Sequence, residues 1–180
     1  MRPALLALSL ILAAAPAIAR APSAEEGKKL DTAVDSYLRS IASKDAERLI
    51  AAIPPRIVGI FAGAAGVEVD KVNDLLVDQT RGLMKGARFT DLAADVSALD
   101  LGDATLKDGT NVTWALIPVS FVTEVGEKRT KSSLPMLAVS EKNRWYFVRI
   151  DGPQQKALVQ IAYPFLKDTP IPDAVTAPAP

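Results

Sequence analysis

The chain has 180 residues, with 21 basic side chains against 21 acidic ones and neither cysteine nor histidine. Balanced charge leaves no electrostatic footprint for nucleic acid or an anionic membrane. The two missing residue types remove disulfides, the usual zinc ligands, the commonest general base and the usual nucleophile pairings, so only Ser-Lys, tyrosine or carboxylate chemistry stays open.

Met1-Arg2, the apolar run Pro3 to Ile18 and the small-residue ending Ala17-Ile18-Ala19 have the pattern of a secretory signal peptide over residues 1–19, cleaved after Ala19. The chain is therefore expected to be exported, periplasmic or secreted. No second long apolar segment follows, so no integral membrane segment is expected after cleavage. The rest is the size of one domain, placed at residues 24–166, with a proline-rich flexible tail over 167–180.

A helix is expected from Ala24 to Ala42, where Leu30, Val34, Tyr37, Leu38 and Ile41 recur at steps of three and four. A second runs from Lys44 to Ile53, capped by Ser43, and Pro54-Pro55 ends or redirects it. Arg56 to Ala62 has room for one more helical turn before the small-residue loop Gly63 to Gly66. Asp70 opens a third helix whose apolar stripe is Val72, Leu75, Leu76, Gln79 and Leu83, with Gly86 terminating it.

From Phe89 the period changes to that of strands. Asp108-Gly109 makes a hairpin turn between a strand within Asp95 to Lys107 and the next, Asn111 to Val125, while Gly102 reads as a bulge. The Gly126-Glu127 turn then sets a register in which Glu124 faces Arg129, Trp114 faces Val139 and Pro118 faces Pro135. Facing prolines, each lacking a ladder donor, fit a non-hydrogen-bonded pair or a shared bulge, either of which bends the sheet at its middle. A turn at Lys142-Asn143 places Glu141 against Arg144 and Ala138 against Phe147. Gly152-Pro153 opens a short helix that Pro164 ends.

Alternation puts Trp114, Leu116, Val122, Leu137, Val139, Tyr146, Val148 and Ile150 on one face of this sheet. The other face carries Ala115, Ile117, Val119, Phe121, Leu134, Met136, Ala138, Trp145 and Phe147. Both are apolar, so both need cover: helices for one, and a pocket, more chain or a partner subunit for the other.

The fold class is α+β: three N-terminal helices on a curved antiparallel sheet of about four strands, then a short C-terminal helix. The element order, the stretch Tyr37-Leu38-Arg39-Ser40-Ile41-Ala42-Ser43-Lys44-Asp45 and the terminal strand Lys142-Asn143-Arg144-Trp145-Tyr146-Phe147-Val148 resemble the nuclear transport factor 2-like superfamily, over roughly Glu25 to Asp151. The resemblance implies a cone enclosing a pocket between helices and sheet. It places Tyr37 where the ketosteroid isomerases carry their tyrosine, but their acid base does not carry over, because Pro54 to Gly63 holds no Asp, Glu or His. Their second acid falls near Pro135 or Met136. Tyr37 is then expected to pack its ring in the core with its hydroxyl bonded at the edge.

Arg149 is the anomaly of the Ile117 and Met136 face, where an unpaired guanidinium is expensive; it either holds an anionic ligand group or reaches the edge to pair with an acid, the reading favoured here. Tyr37, Ile117, Met136, Phe147 and Arg149 form the candidate ligand-binding set, with no catalytic set, metal site or cofactor. The leading expectation is a non-catalytic exported domain that binds a small apolar or amphipathic molecule in its cone, or acts as an interaction module. Two alternatives stand beside it: an isomerase-like or hydrolase-like enzyme using Tyr37 with Asp91 or Asp95, and an accessory subunit forming a homodimer through its sheet face.

Overall fold

The computed structural model describes residues 19–180, so the leader expected over residues 1–19 lies outside the described residues apart from Ala19. The architecture is α+β. Among the described residues five α-helices and a short 3₁₀ turn accompany one antiparallel sheet of seven strands.

Two long strands, β4 (Asn111–Val125) and β5 (Lys128–Glu141), form the spine, paired along their whole length from Val112↔Glu141 to Val125↔Lys128. The expected registers hold at both hairpins, including Trp114↔Val139 and Ala138↔Phe147. The turns use the conformations those residues favour: Gly126 has φ +59°, while Lys142 and Asn143 have φ +51° and +63°.

The facing prolines, Pro118↔Pro135, sit at a seam. The outer edge of β4 pairs first with β3 (Leu101–Thr105), opposite residues 111–114, and then with β2 (Arg88–Ala94), opposite 119–124. The outer edge of β5 pairs with β6 (Arg144–Arg149), opposite 136–141, and with β7 (Val175–Pro178), opposite 130–133. Each proline lies where one flanking strand gives way to the next, so its missing N–H is wanted by no neighbour. Each carbonyl is still used, Pro118 accepting from the Asp95 N–H at 3.1 Å and Pro135 from the Ile150 N–H at 2.9 Å. β1 (Ala19–Arg20) closes the β3 edge through Ala19↔Gly102 and Arg20↔Leu101.

The helices depart from expectation in number and placement. Four precede the sheet: α1 (Ala24–Ala42), α2 (Ala46–Ala51), α3 (Pro55–Ala65) and α4 (Val69–Lys85). Ser23 opens α1 with a complete capping box, its hydroxyl accepting from the Glu26 N–H while the Glu26 carboxylate accepts from the Ser23 N–H. Asp45, not Ser43, caps α2 by accepting from the Arg48 N–H. The expected single turn after Pro55 is a full helix, because Pro55 starts it at N1 and Gly66, at φ +65°, ends it.

Both faces of the sheet are covered by this chain. Leu30, Val34 and Tyr37 of α1 pack on the Ile117, Met136 and Phe147 face. The opposite face meets Ile57 of α3, Val159 and Ala162 of α5 (Pro153–Ala162), and Tyr163 and Leu166 at the 3₁₀ turn Pro164–Asp168. α4 lies outside this layer, against α2 and α3, and buries only Val72 and Met84. Gly102 is no bulge: it stands in unbroken register with Trp114, whose indole lies over its backbone. In the tail expected to be flexible, Val175–Pro178 is laid along β5.

Candidate functional site

The expected ligand set comes together around one core. Ile117 and Met136 face each other across the spine, Met136 faces Arg149 on the next strand, and Phe147 meets the Tyr37 ring at 5.0 Å between centroids. Ile117 and Met136 are fully buried and Phe147 is 3% exposed, so these side chains fill the space beneath α1. Arg149 follows the outward course: it stands 36% exposed, its guanidinium 5.6 Å from the Phe121 ring centre and 3.8 Å from the Asp151 carboxylate.

Tyr37 is half-buried at the mouth of this core. Burial, partly offset by the nearby Arg149 cation, raises its phenol above the ordinary range. The ring packs as expected. Its hydroxyl, however, has no hydrogen-bond partner among the described residues, because the edge it reaches opens into a groove instead of meeting a backbone group.

That groove, about 240 Å³, runs between α1, the end of α2 and β6; Tyr37, Trp145 and Phe147 line it with Ser36, Ser40 and Ala52. Arg48 and Arg144 are also in its wall, and no acidic side chain is. The geometry follows from how α2 ends. Its free C-terminal carbonyls dock on the outer edge of β6, Ala52 accepting from the Phe147 N–H at 2.8 Å and Ala51 from the Arg144 guanidinium at 2.9 Å. Arg144 thereby stands beside the groove, over the Tyr146 ring at 5.1 Å. Arg48 pairs with Asp45 at 3.2 Å and is 76% exposed.

Sequence reasoning named Tyr37 and Phe147 and missed the two arginines. Arg144 reads as the cross-strand mate of Glu141, and their Cα atoms are partners. The Glu141 carboxylate instead accepts the Tyr163 hydroxyl at 2.6 Å and lies 3.8 Å from the Arg56 guanidinium. Arg56 in turn holds Asp108 at 2.7 Å and keeps its carboxyl well below the usual range. Tyr163, just past α5, and Arg56 of α3 thus engage Glu141, while Arg144 reaches the end of α2.

Asp91 and Asp95 lie elsewhere. Asp91 sits at φ +51° where the β2 register shifts, and lines a separate depression of about 380 Å³ with Phe121, Arg129, Lys131 and the chain end. Asp95 follows β2 and accepts from the Ser97 hydroxyl and N–H at 2.7 and 3.1 Å, which lowers its pKa. Neither shares a cleft with Tyr37.

Among the described residues no three acids cluster as a metal site, and no helix is long and apolar enough to cross a membrane. Asp103, on β3, is occupied by Arg20 at 2.6 Å and by the Thr113 hydroxyl at 2.8 Å. No protein-family model, curated protein or solved structure matches this chain.

Proposed function

We propose that the chain is an exported, non-catalytic domain of the nuclear transport factor 2-like kind that binds a small amphipathic anion at the mouth of its cone. The observation that carries this reading is the groove itself: an aromatic floor of Tyr37, Trp145 and Phe147 with two guanidiniums in its wall and no acid. An apolar group lies on the rings, and a carboxylate or phosphate meets Arg48 and Arg144. The volume, about 240 Å³, is below that of pockets that enclose a drug-sized molecule. The groove therefore grips one end of a ligand and leaves the other in water.

Two further facts support binding over turnover. Ile117, Met136 and Phe147 fill the core beneath α1, which leaves a ligand only the groove at its edge. Tyr37 and the carboxylates Asp91 and Asp95 do not share a cleft, whereas acid–base work needs both within hydrogen-bond reach of one substrate.

The test is native mass spectrometry of the chain purified without denaturation, followed by titration with 4-phenylbutyrate read by tryptophan fluorescence. A bound small mass is expected, absent from Ser36→Trp, which fills the groove from the exposed face of α1. Phenylbutyrate should saturate a Trp145 signal that Trp145→Phe abolishes and that Arg48→Gln or the neutral amide weakens about tenfold, the size of one charge-assisted contact. A bare protein with no fluorescence response to the acid overturns the reading.

A further inference from the structure

The C-terminal segment is anchored as far as Ile171 and only laid against the sheet after it. Ile171 is buried, and its carbonyl accepts from the Lys156 ammonium at 3.2 Å. Beyond Ala174, which touches the edge of the core beneath α1, all four residues of β7 are exposed. β7 therefore adds nothing to the core, and main-chain pairing with β5 is what holds it.

That pairing alternates strictly. Thr130↔Pro178 and Ser132↔Thr176 are partners, and just past them the Ala179 N–H donates to the Arg129 carbonyl at 3.1 Å. Hydrogen-bonded pairs recur at every second residue of an antiparallel ladder. Val175, Ala177 and Ala179 thus present their N–H groups to β5, while Thr176, Pro178 and Pro180 turn away from it. Both prolines stand where β5 needs no donor.

At its end the strand reaches the depression of about 380 Å³, which Ala179 and Pro180 line together with Phe121, Val122, Arg129 and Lys131. Arg129 is paired with Glu124 at 2.9 Å, whereas Lys128 and Lys131 make no ion pair among the described residues. Asp91, the acid of this depression, lies on β2, two strands and about 10 Å from Lys131. The terminal proline ring is small, and the depression stays open beside it.

We propose that the edge of β5 over residues 128–133 is a docking site for the C-terminus of a partner polypeptide, an extended strand ending in a bulky apolar residue and a free carboxylate. The chain's own tail occupies it as a weaker, exchangeable ligand. A partner strand makes the same ladder, its last side chain enters the depression against Phe121 and Val122, and its carboxylate meets Lys128 and Lys131. The β5 edge of a second copy is the wrong occupant, because Lys128, Arg129 and Lys131 would face like charges.

The probe is a peptide of residues 173–180 with phenylalanine in place of the last proline, dye-labelled at its N-terminus and read by fluorescence anisotropy against the full chain. Ala177→Pro removes the central donor of the tail and frees the edge, whereas Thr176→Pro puts a proline where the N–H already faces water. Both lie beyond the last buried residue, so the circular dichroism melt should match that of the parent. The peptide should bind Ala177→Pro at least tenfold more tightly than the parent or Thr176→Pro, because a paired tail competes at an effective concentration of about 1 mM. On Ala177→Pro, restoring the terminal proline of the peptide, amidating its carboxylate or adding Lys131→Glu should each weaken binding about tenfold. No binding to Ala177→Pro at up to about 1 mM, equal affinity for Ala177→Pro and Thr176→Pro, or indifference to the terminal phenylalanine and carboxylate overturns the proposal.

Discussion

Gly102→Ala tests the packing of the β3–β4 edge. A Cβ built at Gly102 lies 2.5 Å from two atoms of the Trp114 indole, inside any permitted contact. The indole has little room to withdraw, because its other side packs against Phe165 with ring centroids 5.4 Å apart. Forcing extra volume into a filled site costs about 1–3 kcal/mol. Alanine also removes about 0.4–1 kcal/mol of unfolded-state freedom, which acts in the opposite direction. The net expectation is a loss of about 1–2 kcal/mol, or about 2–8 °C in melting temperature for a domain of this length. Urea unfolding should show a lower midpoint at unchanged slope. Because one ring causes the clash, Gly102→Ala should be nearly harmless in a Trp114→Leu background, with a coupling energy of about 1 kcal/mol or more. An alanine variant as stable as the parent, or two substitutions whose effects simply add, refutes the argument.

Tyr163 is fully buried and its hydroxyl is bonded to a carboxylate, so Tyr163→Phe should lose about 1.5–3 kcal/mol in urea unfolding; a change under 0.5 kcal/mol contradicts this. At acid pH, Arg20 lowers the Glu26 carboxyl from 4.5 to about 2 and lowers Asp103 as well. A pKa lower in the folded chain adds stability above the unfolded value, which disappears as pH falls from about 4.5 through about 2. The melting temperature of Glu26→Gln should therefore fall less over that window, and parallel curves for the two proteins would remove the idea. At alkaline pH the sign reverses, since burial and Glu141 raise the Tyr163 phenol. Stability present below pH 10 should be lost above it, and Tyr163→Phe should soften that loss.

The sheet was legible because its information is local. Two tight turns fix the β4–β5–β6 registers, and alternation sorts Ile117, Met136 and Phe147 from Leu137 and Val139 without knowledge of the rest. Gly102 was misread because the cause of its glycine, the Trp114 ring, is a cross-strand neighbour that shows no period along the sequence. The α4 stripe misled for a related reason: spacing shows which residues share a helix face, not which way the helix is rotated. The groove was half legible. Tyr37 and Phe147 lie on faces that periodicity identifies, but Arg144 reaches α2 while Tyr163 and Arg56 engage its cross-strand mate, contacts among segments far apart in the chain.

The paired spine also constrains the order of events during synthesis. α1 and β2 precede it, yet the face they pack on is made mainly of residues 115–121, 134–138 and 147, so a chain growing from its N-terminus lacks most of that face until β5 exists. The β4–β5 hairpin, joined by two residues, forms quickly once both arms are free, and the helices condense onto it afterwards. A chain halted at Val125 should accordingly bind the dye ANS and melt without a cooperative transition, whereas one halted at Asp168 should show both a closed core and a sharp melt. The consequence is a delay: most of the chain's length is translated before it can fold.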